Sequence, residues 1–189
     1  MQATDTRVQR REPLIQLMKD LKDSGKNCAS CTGVCCTFVG NSMQITVLEA
    51  FDLYQFLEKE GRWKQGLMER LKENISMFRL DRPVPGDGRR NLARRRYTCP
   101  FFKDTALGCS IDPMYKPYGC LGFNALGSDV QDGENCSSRI PVLEAREGSY
   151  DSELSDNESL RERYGISWTK TSIPQALLEI AEHFKPAVN

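Results

Sequence analysis

Four of the chain's eight cysteines fall within nine residues, Cys28-Ala29-Ser30-Cys31-Thr32-Gly33-Val34-Cys35-Cys36. The other four, Cys99, Cys109, Cys120 and Cys136, lie well downstream. No other feature restricts the fold as strongly. A fold that joins the two halves makes a thiolate cage. The Ser, Thr and Gly content of the first cluster suits a loop able to close tightly around an ion.

The compartment decides how these thiols are read. No stretch approaches the roughly 20 apolar residues of a membrane helix. The first residues, interrupted by Arg7, Arg10, Arg11, Asp20 and Lys22, lack the unbroken apolar core of a secretory signal. The expectation is a cytoplasmic protein, provided the chain is not a mature form with its leader removed. In a reducing compartment, clustered thiols bind metal or do redox chemistry more often than they form structural disulfides. Adjacent Cys35 and Cys36 are also poor partners for each other. A metal cage is the expected reading; a disulfide framework and unconnected buried thiols are the alternatives.

With 189 residues, 39% hydrophobic and 28% charged, the chain suits one globular unit with a polar surface. Its formal net charge is zero, so no global field draws it to nucleic acid or an anionic membrane. Leu14, Leu17, Met18 and Leu21 predict a short amphipathic helix over residues 12–22, stopped by Ser24-Gly25. Thr46 and Glu49 form a capping-box pattern opening a helix to residue 59, with Leu48, Phe51, Tyr54 and Leu57 on one side. A further helix is expected over residues 62–78, with Leu67, Leu71, Ile75 and Phe78 on one face. A last one starts near Ser172, with Pro174 in its first turn and Leu177, Ile180, Ala181 and Phe184 on its buried side. Residues 97–123 lack helical periodicity and read as loops with short extended pieces. Residues 144–162 are acidic and read as an exposed or flexible linker.

The fold class expected is therefore mainly α with irregular Cys-rich loops, a small helical domain around a thiolate metal site. Its expected parts are an N-terminal helix or arm over 1–25, a cysteine-cluster domain over 26–140, and an acidic linker with a C-terminal helix over 141–189.

The C-x2-C unit of Cys28 and Cys31 lets two sulfurs reach one ion. Cys35 is close enough to join the same shell, while Cys36, its neighbour, is expected to diverge and serve a different position, in a second shell or as a redox or structural thiol. Four thiolates suit tetrahedral zinc or an iron–sulfur cluster equally. Eight cysteines would fill two such sites, or one with spare thiols. His183, the only histidine, is expected at a partly exposed helix end rather than in a metal shell.

The downstream run is Cys99-Pro100-Phe101-Phe102, then Gly108-Cys109-Ser110-Ile111, then Lys116-Pro117-Tyr118-Gly119-Cys120 and Phe123. Together with C-x2-C-x3-C-C this order resembles the CxxCxxxCC, or YkgJ-type, cysteine-cluster family. That family is described as a zinc- or iron-chelating domain and is related to flagellin lysine N-methylases. The resemblance covers about residues 28–123 and includes a Thr-x-x-Glu helix start at Thr46. Lys116 and Leu121 stand where the family carries arginine, and Asp112 where it carries tyrosine. The Cys109–Cys120 interval is one residue longer than the family pattern. The resemblance implies Cys28, Cys31, Cys35, Cys36, Cys99, Cys109 and Cys120 as metal ligands. Cys28, Cys31, Cys99 and Cys120 come first, Cys35 and Cys109 next. Cys136 falls outside the pattern, as a late ligand or a bystander.

The function expected is binding of zinc or iron, the latter alone or as an iron–sulfur cluster, with metal chelation stapling the helical domain. One alternative is a protein-modifying enzyme resembling the flagellin lysine N-methylases, although no catalytic motif and no G-x-G-x-x-G loop is present. Another is a phosphate or nucleic-acid binder using Arg89, Arg90, Arg94, Arg95 and Arg96. The absence of interleaved aromatics weighs against nucleic acid. The metal ion is the expected partner, with no membrane; the sequence leaves a protein partner open.

Overall fold

The structure, a computed structural model, describes residues 4–25, 33–82, 95–103, 108–125, 136–137 and 150–184. Those residues are mainly helical, with two small two-stranded sheets.

Two strand–helix junctions organise the core. β1, Gln44–Thr46, runs without a break into α2, Val47–Lys59. The capping box forms as the sequence predicts: Glu49 N–H donates to Thr46 Oγ1 at 3.3 Å, and Thr46 N–H donates to Glu49 Oε2 at 2.9 Å. The two side chains satisfy two amides that a helix start otherwise leaves without partners. Near the C-terminus, β4, Lys170–Ser172, runs directly into α6, Ile173–Phe184. β1 and β4 pair antiparallel, with Gln44 opposite Ser172 and Thr46 opposite Lys170. That pairing sets α2 against α6.

The apolar pattern explains why α2 lies at the centre. Val47, Leu48, Ala50, Leu53, Tyr54, Phe56 and Leu57 are all buried, so its apolar surface is wider than one stripe. It takes α6 on one side and α5, Tyr150–Tyr164, on another. α6 buries Ile173, Ala176, Leu177, Ile180 and Ala181 against α2 and against α3, Gln65–Phe78. Phe184 is half-buried, within an aromatic cluster with Phe51, Tyr54 and Tyr164. α3 starts three residues later than residue 62 suggests. Arg62 and Trp63 instead fold back so that both backbone amides donate to Leu57 O.

Of residues 144–162, expected as an exposed or flexible linker, 144–149 lie outside the described residues, and 150–164 form a helix with many exposed positions such as Leu154, Glu158 and Glu162. The acidic composition hides the anchor. Asn157 Oδ1 accepts from Leu48 N–H at 2.9 Å, capping an amide in the first turn of α2. Leu160, Tyr164 and the buried Ile166 then pack on the main core. α1, Thr4–Asp23, also exceeds its predicted span and continues through Pro13.

Arg11 ties α1 to α2. Its Nη1 lies 3.2 Å from Asp52 Oδ2, and both side chains are almost fully buried. Removing one member of a buried pair strands the other charge, at a cost of about 3–5 kcal/mol. We expect Asp52→Ala to destabilise the protein by about 3 kcal/mol, and Arg11→Met together with Asp52→Leu to recover most of that loss. Thermal denaturation of the two variants checks the order.

Candidate functional site

The cysteine segments are held together by backbone pairing around a buried tyrosine. Tyr97 N–H donates to Asn41 O at 3.0 Å, and Asn41 Nδ2 donates to Tyr97 O at 2.9 Å. Two residues on, Cys99 N–H donates to Cys36 O at 2.7 Å. Between them, Thr98 Oγ1 accepts from Phe38 N–H and Thr98 O accepts from Asn74 Nδ2. The first and second cysteine segments are thus joined residue against residue.

Each cysteine has its own support. Cys35 and Cys36 sit in a 3-10 turn, Val34–Cys36. It opens on Gly33, whose φ of 73° is left-handed and whose missing Cβ would lie 2.2 Å from the Phe102 ring. Phe102 and Cys109 face each other across an antiparallel bridge, which brings Cys99 and Cys109 to neighbouring positions. Arg62 fixes the far side, donating to Ser110 O at 2.6 Å and Ser110 Oγ at 3.0 Å. Cys120 lies in the short helix α4, Tyr118–Leu121. Glu49 Oε1 accepts from Tyr118 N–H at 2.7 Å, so one carboxylate serves both the capping box and this helix. Leu14 of α1 buries Tyr118 and Leu121 from the other side.

The outcome is that Cys35, Cys36, Cys99, Cys109 and Cys120 all line one cavity of about 230 Å³. Met43, Phe102, Ile111, Lys116, Phe123 and Ile173 complete much of its wall. All five cysteines stand as thiols, none in a disulfide. Cys28 and Cys31, placed first by sequence, lie outside the described residues. Cys99 and Cys120, also placed first, line the cavity, as do Cys35, Cys109 and Cys36.

The Phe101 and Phe102 amides favour the Cys99 thiolate, and Phe102 N–H donates to Cys99 O at 3.0 Å. Ile111 N–H donates to Cys109 Sγ at 3.4 Å. Hydrogen bonds to the charged form of a group favour that form. Other forces oppose it. Burial, and then the neighbouring Cys109, push the Cys99 thiol up to about 12. Cys36 is raised by its hydrogen bond with Cys35, by burial, and by the charges of Cys35, Cys99 and Cys120. Cys120 is raised by burial and by Cys99 and Cys109, and lowered by Lys116. The thiols therefore resist ionising together unless a cation joins them.

The side chains are gathered to one cavity rather than to one point. Among the described residues, no group of three or more His, Cys, Asp or Glu side chains stands in a metal-holding arrangement. His183 is exposed on the last turn of α6, its ring against Tyr164, at the helix end where sequence placed it. Cys136 lies in β3, Cys136–Ser137, paired with β2, Asn124–Ala125. Arg89, Arg90 and Arg94 lie outside the described residues. Arg95 Nε donates to Arg82 O, and Arg96 Nη1 donates to Val39 O. Sequence reasoning did not single out Lys116 as a cavity residue, nor Tyr97 and Glu49 as the groups that position the cysteines. The Lys116-Pro117 pair four residues before Cys120 was the available signal.

No family model, curated protein or solved structure matches the chain. Among the described residues, no helix is long and apolar enough to cross a membrane.

Two outcomes are expected. Thiols whose folded pKa is raised contribute stability that is fully present below the ordinary value of 9.0 and lost as pH climbs toward about 12. The melting temperature of metal-free, reduced protein should fall across that window, and substituting Cys99 and Cys120 with Ser should flatten the fall. Gly33→Ala, which meets both the left-handed φ and the Phe102 ring, should cost at least about 1–2 kcal/mol in denaturant unfolding.

Proposed function

We propose that this chain is a metal-binding protein of the cysteine-cluster type, with zinc or iron held by cavity thiolates. The observation that carries the reading is the convergence of five cysteines, from segments far apart in sequence, on one cavity. The donor set fits the group. Thiolates are the soft ligands that zinc and iron–sulfur centres take. The Phe101 and Phe102 amides offset part of the burial that opposes the Cys99 thiolate, the form that ligation requires. The ligand set proposed is drawn from Cys28, Cys31, Cys35, Cys36, Cys99, Cys109 and Cys120, in the order of the cysteine-cluster family that the sequence resembles.

The residues divide the work. Cys99 and Cys109 are held across the Phe102 bridge, Cys35 and Cys36 on a turn fixed by Gly33, and Cys120 on a helix fixed by Glu49. Phe102, Ile111 and Phe123 line the cavity with apolar surface that limits water. Bound zinc would supply structural cross-linking, and bound iron would add redox capacity. Cross-linking suits a chain whose cysteine segments carry little regular structure of their own. A cytoplasmic location fits this reading because a reducing compartment keeps the thiols available.

The test is metal analysis with a visible spectrum on protein purified without oxygen and without added metal. Stoichiometric zinc without colour, or iron with sulfide and visible absorbance, is the expected result. Chelation should then lower the melting temperature. Protein free of both metals, with its cysteines paired in disulfides, overturns the reading. An iron–sulfur spectrum would direct the next assay to protein modification, the alternative that the family's relation to lysine N-methylases suggests.

A further inference from the structure

Three charged side chains are buried among the described residues: Arg11, Asp52 and Lys116. The first two form an ion pair. Lys116 is only 7% exposed, and among the described residues no carboxylate pairs with its ammonium. Lysine is seldom buried to this degree; its stem lies in the cavity wall, while its Nζ is not among the fully buried polar atoms left without a partner in the described residues.

The fold fixes Lys116 in place. Its backbone N–H donates to Asp112 O at 3.1 Å across the 3-10 turn Pro113–Tyr115. The next residue, Pro117, is fully buried and opens α4. The side chain lines the cavity that holds the five thiols. Glu49 is the carboxylate near Cys120, but its oxygens already accept from Thr46 N–H and Tyr118 N–H. Lys116 stands close enough to Cys120 for its charge to favour that residue's thiolate, the form that metal ligation requires. Four thiolates carry more negative charge than one divalent ion neutralises, so a thiolate-bound ion leaves an excess that a buried cation offsets.

We infer that Lys116 is the built-in counter-charge for a thiolate-bound metal ion in this cavity. It ligates nothing; it is a positioning residue that acts on the ligands through its charge. The inference rests on the metal-binding reading above. It also gives the lysine at the family's arginine position a role that requires a cation but not a guanidinium.

The test uses full-length, reduced protein and Zn²⁺ alone as the probe. Lys116→Met keeps the aliphatic stem and removes the charge, Lys116→Arg keeps the charge, and Lys116→Gln serves if the Met variant fails to fold. Zinc affinity is measured by competition with a chromogenic chelator, and melting temperature with and without zinc. Loss of the charge should weaken zinc binding by about 10- to 100-fold, while the metal-free melting temperature holds or rises. The arginine variant should recover most of the affinity. Unchanged zinc affinity in the Met and Gln variants overturns the counter-charge role. So does a fall in metal-free stability with affinity intact, which would make Lys116 a packing residue. A wild-type protein that binds no zinc overturns the inference at an earlier step, together with a zinc-binding function.

Discussion

The Tyr97 hydroxyl is the interaction on which most of this molecule depends. It donates to Met43 O at 2.7 Å, just before β1, and accepts from Ile173 N–H at 3.2 Å, at the start of α6. The hydroxyl of this almost fully buried tyrosine therefore joins the approach to β1 to the start of α6. Burial raises the phenol's pKa well above its usual value, so the hydroxyl stays protonated and its donor role is secure. The same residue pairs its backbone with Asn41, and Cys99 follows two positions later. Core assembly and cysteine placement are thus the same event. A small domain with few regular strands gains its precision from this kind of shared, fully satisfied polar contact.

Glu49 does a comparable job from the other direction. Its carboxylate is split between Thr46 N–H and Tyr118 N–H. The start of α2 and the start of α4 are consequently fixed relative to each other, and Cys120 with them. Arg62 repeats the device at Ser110, with its guanidinium also 5.7 Å from the centre of the Phe56 ring. In each case a polar side chain on or just beyond α2 reaches a segment that carries a cysteine.

The helices with clear periodicity or capping chemistry were legible in the sequence. Thr46 and Glu49 announced α2, and Pro174 with its apolar stripe announced α6. Local signals of this kind work because they describe interactions within one turn or two. α5 was not legible, because what holds it is Asn157 reaching the Leu48 amide across the fold, a contact that leaves no local pattern. The candidate site was half legible. Residue type and spacing identified the cysteines. The identities of Tyr97, Glu49 and Lys116 as their supports depend on which segments meet, and spacing along the chain does not encode that. Phe38 and Phe78, stacked at 6.4 Å between centroids, are another such long-range pair.

The antiparallel match of Gln44–Thr46 with Lys170–Ser172 has a consequence for synthesis. The ribosome releases the cysteine segments long before it releases the strand that closes the core beside them. Contacts between distant segments form late, because closing a long loop costs entropy before any contact repays it. Until residue 173 takes its place against Tyr97, the cavity lacks one of its walls. The thiols of an emerging chain therefore stand without that wall until the segment around residue 173 has been made.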